Sequence, residues 1–453
     1  MTTNWSPDSW KLKPAKQQVE YDDPVELASA LERISQLPPI VTSWEVEKLK
    51  AQLAQAGRGE RFLLQGGDCN ERFGDCRASL IDAKLKVMLM MSAVLVYGGG
   101  RQVVRVGRIA GQYAKPRSEN TETRDGVTLP CYRGDLVNRT EFDAAARRPD
   151  PANLVEAYAR ASMTINFIRS LLAGGFADVH HAEIWDLAFA ANSPQLAQYR
   201  ALVDEMRQSV RYLDAMIGRP LSELAQVDFY TSHEGLHLPY EQAVTEKPPL
   251  RDGWYDLSTH LPWIGERTRD LGGAHIEFFR GIRNPIGVKV GPGMDPKELI
   301  ELIRVLNPEN EPGRLTLIVR MGAGKVSAKL PALVEAVMAS RQVVTWCSDP
   351  MHGNTYKTGD GTKTRHFDEI LSELDQTFLI HAEAGSVLGG VHFEMTGQDV
   401  TEVVGGSVGL TEADLARAYL SDVDPRLNYS QSLEMAFLIA RRLADPKYAP
   451  RRA

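Results

Sequence analysis

A chain of 453 residues with 43% hydrophobic and 25% charged side chains is ordinary globular material, enough for one large domain with additions or two medium ones. Its formal charge of -7 argues against nucleic acid as a main partner, because phosphate backbones are held by a global basic excess, so any anion binding has to be local. No apolar run reaches the roughly 18 residues that a membrane span needs; no signal peptide opens the chain and the four cysteines form no C-x-x-C pair, which together point to a reduced, cytoplasmic protein with no membrane partner.

Residues 1–55 carry Trp5, Trp10, Trp44 and several prolines, and read as an N-terminal extension with a short helix that lies against the main body or a neighbouring subunit. Over 56–445 come eight short, β-branched apolar runs, each closed by polar or glycine-rich residues: RFLLQGGDC, QVVRVGRIAG, VDFYTSHEG, YDLSTHLPWIG, NPIGVKVGPG, RLTLIVRMG, RQVVTWCSDPMHG and GGVHFEMTG. Stretches of helical periodicity such as DPKELIELIRVL and KLPALVEAVMAS separate most of them. That alternation predicts an α/β fold with a parallel sheet, and eight units suggest a closed (β/α)8 TIM barrel.

Between the second and third runs the chain is far longer than the dozen or so residues of a crossover. Leu196, Tyr199, Leu202, Val203, Met206, Val210, Leu213 and Ile217 recur there at three- and four-residue spacing, so extra helices inserted at about 150–220 should pack outside the barrel. Core packing or a subunit contact is the plain expectation for them, and a regulatory pocket the sharper one.

The third run ends in TSHEGLHLPY, where His233, Glu234 and His237 spell H-E-x-x-H. Two imidazoles converge on zinc only from one helix face, and here the preceding residues read as a strand while Gly235 and Pro239 disfavour a helix, so the metalloprotease reading fails. RMGAGKVS lacks the first glycine and the final Ser or Thr of a phosphate-binding loop, and YGGG lacks the setting of a dinucleotide fingerprint.

In a barrel, chemistry sits at the carboxyl ends of the strands. Two sets of residues fall there. Arg108, Lys115, Arg117, Arg267, Lys289 and Arg320 are cations, several inside apolar runs where a charge needs a partner, and together they suit a small, highly anionic substrate. The plain alternative is that each cation pairs with a structural carboxylate. Cys69, His352, Glu394 and Asp424 mix a thiol, an imidazole and two carboxylates, which suits a first-row divalent ion.

The ordered series LLQGGDC, VGRIAGQYAKPRS, TSHEGL, WIGERTR, NPIGVKVGP, RMGAGKV, SDPMHGNT, KTRHF, GGVHFEMTGQDVTE and DPRLNYSQSLE spans nearly the whole chain and resembles the type II 3-deoxy-D-arabino-heptulosonate 7-phosphate (DAHP) synthases. The resemblance implies a metal-dependent barrel that joins phosphoenolpyruvate to erythrose 4-phosphate, releases phosphate and opens the shikimate pathway, in primary or specialised metabolism. It implies that Cys69, His352, Glu394 and Asp424 hold manganese or cobalt, with iron, zinc or cadmium as further candidates. Arg108, Glu266, Arg267, Lys289 and Arg320 would then hold phosphoenolpyruvate, and Lys115, Pro116, Arg117 and Ser118 would form the erythrose 4-phosphate loop, Lys115 also reaching toward the first substrate. Glu234, or a water on the metal, would be the base. A homodimer or homotetramer and a chorismate mutase partner follow by analogy only. Rival readings are another barrel aldolase acting on phosphosugars, and a silent barrel that modulates a partner such as chorismate mutase.

Overall fold

The computed structural model of the chain describes residues 5–178, 194–217 and 227–451. Eight strands form one parallel sheet: β1 (Arg61–Gly67), β2 (Gln102–Arg108), β3 (Tyr230–Thr231), β4 (Trp263–Ile264), β5 (Ile286–Val290), β6 (Leu315–Val319), β7 (Thr345–Ser348) and β8 (Leu388–Glu394). They lie in the order β3-β2-β1-β8-β7-β6-β5-β4. Each strand falls within one of the eight apolar runs, save that β8 starts one residue early, at Leu388. The sheet curls until its edges meet, with Trp263 N donating to His233 O at 3.0 Å and Gly235 N to Trp263 O at 3.0 Å, and Glu234 bridging Trp263. This arrangement is consistent with an α/β barrel.

The third and fourth strands are only two residues each, shorter than their apolar runs. Side chains compete there with the ladder: His260 Nδ1 accepts the Thr231 amide at 2.9 Å and Asn284 Oδ1 accepts that of Asp256 at 2.9 Å. Tyr255–Asp256 pairs instead with Thr245–Glu246 in a separate antiparallel ladder.

The N-terminal segment carries two helices where one short one was expected, α1 (Pro24–Ser35) and α2 (Ser43–Gly57). Thr42 and Glu45 form a capping box that starts α2. Leu49 and Leu53 of α2 are fully buried and cluster with Leu63, Val104, Ile318 and Cys347 of the strands, while Thr345 Oγ1 at the start of β7 donates to Leu53 O at 2.9 Å. α2 therefore floors the sheet at its amino-terminal end. Outside lie α3 (Ala78–Gly99), α4 (Ala152–Ala173), α5 (Pro194–Ile217), α6 (Ala274–Phe279), α7 (Pro296–Leu306), α8 (Val326–Ser340), α9 (Phe367–Ala384) and α10 (Tyr429–Ala444).

Both α4 and α5 fall between β2 and β3, and both pack against α3, α5 also against α10. Leu196, Tyr199, Leu202, Val203 and Val210 of the expected stripe are buried; the side chains of Leu213 and Ile217 lie outside the described residues. No helix among the described residues is long and apolar enough to cross a membrane.

Candidate active site

A cavity of about 720 Å³ opens at the carboxyl ends of the strands. Every residue singled out above as a site candidate lines it except Glu394, which is fully buried.

Cys69 follows β1, Glu394 ends β8, and Asp424 enters on the segment before α10. Their neighbours hold them together, because Arg426 Nη1 donates to Asp68 Oδ1 at 2.7 Å while its other nitrogens grip Glu402. The thiol and the two carboxylates then present donor atoms that all lie within 4.8 Å of one another. His352 is outside that mutual group but touches it, its Nε2 2.9 Å from Glu394 Oε1. The Lys115 ammonium lies 2.5 Å from Cys69 Sγ and 2.6 Å from Asp424 Oδ2. Burial opposes ionisation of Glu394 and Asp424, yet His352 and Arg365 around the first and Lys115 beside the second hold both carboxyls well below their usual range. Burial, and next to it the Glu394 charge, push the Cys69 thiol up. A sulfur and two ionised carboxylates converging on a lysine cation are a donor set that fits a divalent metal.

The cations form the rest of the wall. Lys289, inside β5, is buried, its Nζ 2.5 Å from Asp349 Oδ2 and 5.1 Å from the centre of the Trp263 ring. Burial lowers its pKa, and Asp349 offsets part of that. Asp349 also accepts from His352 Nδ1 at 2.8 Å, so one carboxylate links Lys289 to the side chains around Cys69, Glu394 and Asp424. Arg108, equally buried, bonds His392 Nε2 at 2.8 Å and Cys69 O at 3.2 Å and lies 3.5 Å from Glu394. Arg320 pairs with Glu266 and donates to His352 O at 3.0 Å. Arg267 donates to Ser118 Oγ at 2.9 Å, and Arg117 stands 3.9 Å from Glu122. Five of the six cations thus face carboxylates, as the plain alternative anticipated, but Asp424, Glu266 and Glu122 are themselves cavity residues. The buried Nε atoms of Arg108 and Arg320 have no hydrogen-bond partner among the described residues.

Glu234 stands opposite, its backbone amide held by Gln112 Oε1 at 3.0 Å. Gly265 leaves room for it, since a Cβ there would lie 2.0 Å from Glu234 Oε1. Burial pushes its carboxyl up to about 7 against the pull of Lys115, Lys289, Arg108 and Arg267. His237 is elsewhere: its Nδ1 caps the short helix Leu238–Ala243, and its Nε2 meets Tyr21 Oη at 3.0 Å. His233 pairs with Glu241 at 3.1 Å.

Sequence reasoning gave no role to Asp349, Trp263, His392 or Arg365, whose guanidinium donates to Glu394 Oε2 at 2.7 Å. Asp349 alone left a signal, standing three residues before His352 in DPMH.

The fold and site define a parallel α/β barrel-like protein that gathers a thiol–carboxylate–imidazole cluster and a wall of cationic side chains at one mouth. The model of the Class-II DAHP synthetase family matches residues 5–440. The chain is 48% identical over 438 residues to a phospho-2-dehydro-3-deoxyheptonate aldolase of Streptomyces coelicolor, covering 97% of each. It is 44% identical over 468 aligned positions to a protein of the same name from Neurospora crassa, covering 99% of this chain and 97% of that one. The chain belongs to the Class-II DAHP synthetase family, and with it to the transferases.

Proposed function

We propose that the protein is a DAHP synthase that condenses phosphoenolpyruvate with erythrose 4-phosphate and releases phosphate, opening the shikimate route for primary or specialised aromatic metabolism. One observation carries the reading: Asp349 bonds both Lys289 of the anion wall and His352 beside Cys69, Glu394 and Asp424, so an anionic substrate and a metal would lie side by side.

Cys69, His352, Glu394 and Asp424 would hold a divalent ion, manganese or cobalt first, and the ion supplies Lewis acidity toward the aldehyde oxygen. Lys289, Arg320 and Arg108 take the phosphate and carboxylate of phosphoenolpyruvate, their charges fixed before the substrate arrives and those of Lys289 and Arg108 desolvated. Glu266 orients Arg320, Arg267 joins the phosphoenolpyruvate side, and the Lys115–Ser118 stretch, tied to it by the Arg267–Ser118 bond, receives the second phosphate. This placement puts C3 of phosphoenolpyruvate against the aldehyde carbon. As the new C–C bond forms, the aldehyde C=O electron pair moves to its oxygen, which takes a proton from solvent, and C2 becomes electron-poor. Water adds there and one of its protons passes to a Glu234 Oε, then the C2–O bond to phosphate breaks with its electron pair going to the departing phosphate, which takes the remaining hydroxyl proton and leaves the ketone. A carboxyl poised near neutral pH is suited to that transfer.

Loss of phosphoenolpyruvate absorbance on adding erythrose 4-phosphate is the expected result, with a label in the bridging oxygen leaving in inorganic phosphate. No loss with metal supplied, or a label retained in the sugar, would sink the reading. The same reading makes the protein a cytoplasmic homodimer or homotetramer with chorismate mutase as a candidate partner, which light scattering of each protein and of the mixture would test.

A further inference from the structure

Glu373 lies in α9, outside the cavity, and is 1% exposed. Its Oε1 accepts the Met321 amide at 2.7 Å and its Oε2 accepts Asn354 Nδ2 at 2.7 Å. Met321 follows Arg320 at the end of β6, and Asn354 lies two residues beyond His352 in the loop after β7. Asn354 completes the tie: its Oδ1 accepts the Ala323 amide at 2.9 Å and its Nδ2 also donates to Pro350 O at 2.8 Å. The three contacts of the Asn354 amide fix which of its ends is oxygen.

Gly322 and Gly353 show how closely the two loops lie. A Cβ on Gly322, whose φ is +89°, would stand 2.9 Å from Gly353 O, and one on Gly353 would stand 2.3 Å from Gly322 N. The loops meet backbone to backbone, and the only carboxylate bonding both at this seam among the described residues is Glu373. On the far side of the same loops, Arg320 Nη2 donates to His352 O.

We infer that Glu373 is a positioning residue for the reaction, a clip that holds the loop bearing Arg320 and the loop bearing His352 in register, so that the phosphoenolpyruvate wall and the metal cage keep one geometry. It rests on the substrate reading above. Its bonding partners are donors, so the ionised carboxylate satisfies them all and a protonated acid sets an O–H against an N–H. Burial, with the Asp349 charge at the end of β7 adding to it, pushes the Glu373 carboxyl up to about 7, while the Gly322 and Met321 amides and Asn354 pull it down. The clip therefore loosens as pH falls through neutrality.

Calorimetric titration of phosphoenolpyruvate into manganese-saturated wild type and Glu373→Gln tests this. At about pH 8 the variant should bind roughly tenfold more weakly, the worth of a charge-assisted hydrogen bond. Near pH 6 the ratio of the two constants should shrink toward about one, because the wild-type carboxyl is then itself neutral. Other titrations, Glu234 included, occur in both proteins and cancel in the ratio. A packing role alone would leave the ratio independent of pH, and that result, or equal affinities at the higher pH, overturns the clip. Should Glu373→Gln fail to fold, Asn354→Ala keeps the Met321 bond and should weaken binding by about threefold; unchanged affinity there also overturns it. Absence of binding to the wild type would overturn the substrate reading, and the clip with it.

Discussion

Lys289 is a cation held out of water, and its bond to Asp349 is what makes that tolerable. Lys289→Ala should therefore act twice. Phosphoenolpyruvate loses a desolvated partner, so kcat/KM should fall by about a hundredfold or more; and Asp349, left with the His352 ring and the Met351 and His352 amides in place of the ammonium, should lower stability by roughly 3 kcal/mol, read by steady-state kinetics and urea unfolding. Unchanged kinetics would remove Lys289 from the substrate wall. For Glu234 the direction of the pH effect is fixed by its raised pKa of about 7, against an ordinary carboxyl value of 4.5. Between those values the folded protein binds the proton that the unfolded chain has released, so this group's contribution to stability is present at low pH and lost as pH rises through about 7. Activity runs the other way, because only the ionised form accepts a proton. Glu234→Gln should lower kcat by about 10²–10⁴-fold and abolish the part of the acid limb near neutrality that Glu234 causes; a variant with wild-type kcat would exclude it as the base.

At the scale of elements, the chain after β2 makes the side of the mouth proposed above for the second substrate. An antiparallel hairpin of Thr121–Arg124 and Val127–Pro130 projects beside the Lys115–Ser118 stretch, and a fully buried Arg147 anchors it. Its guanidinium reaches Glu122 at 2.5 Å, Pro130 O at 3.1 Å, Glu141 O at 2.7 Å and Thr140 O at 2.8 Å. Arg147→Leu removes the donor that those carbonyls share, while Glu122 keeps Arg124 at 3.2 Å, so each lost bond is worth about 0.5–1.5 kcal/mol. The expected outcome is faster proteolytic nicking between Arg117 and Arg133 and a higher KM for erythrose 4-phosphate, with the KM for phosphoenolpyruvate little changed. If nicking and both KM values stay at wild-type levels, the hairpin is not held from below by Arg147. α2 teaches a related lesson. Its sequence reads as part of an extension lying against the body, yet Leu49 and Leu53 share a cluster with strand residues, so its apolar residues serve the interior of the barrel-like sheet.

Across the whole molecule the cage joins the end of β1, the end of β8, the loop after β7 and the segment before α10, so a bound ion would cross-link parts of the chain from Cys69 to Asp424. Metal that binds the folded state alone stabilises it by mass action, about 2.7 kcal/mol at a hundred times Kd. EDTA should abolish turnover and manganese or cobalt restore it, while a thermal melt of the stripped protein should rise on adding manganese and stay flat in Asp424→Ala. A melt indifferent to manganese, or full activity in a verified metal-free preparation, would refute the metal role. By itself the sequence determined what is local: eight apolar runs bounded by turns, cations such as Lys289 and Arg320 set inside those runs, and the strand end that denies H-E-x-x-H its helix. Local signals suffice there because side-chain alternation, backbone propensity and the cost of burying a charge act within a few residues. Only the tertiary structure decided that Asp349 would bridge Lys289 and His352, that Arg426 would draw Asp424 toward Cys69 through Asp68, and that Glu373 would tie two neighbouring loops. Each is a hydrogen bond between groups whose separation along the chain carries no information until the sheet curls and sets its register.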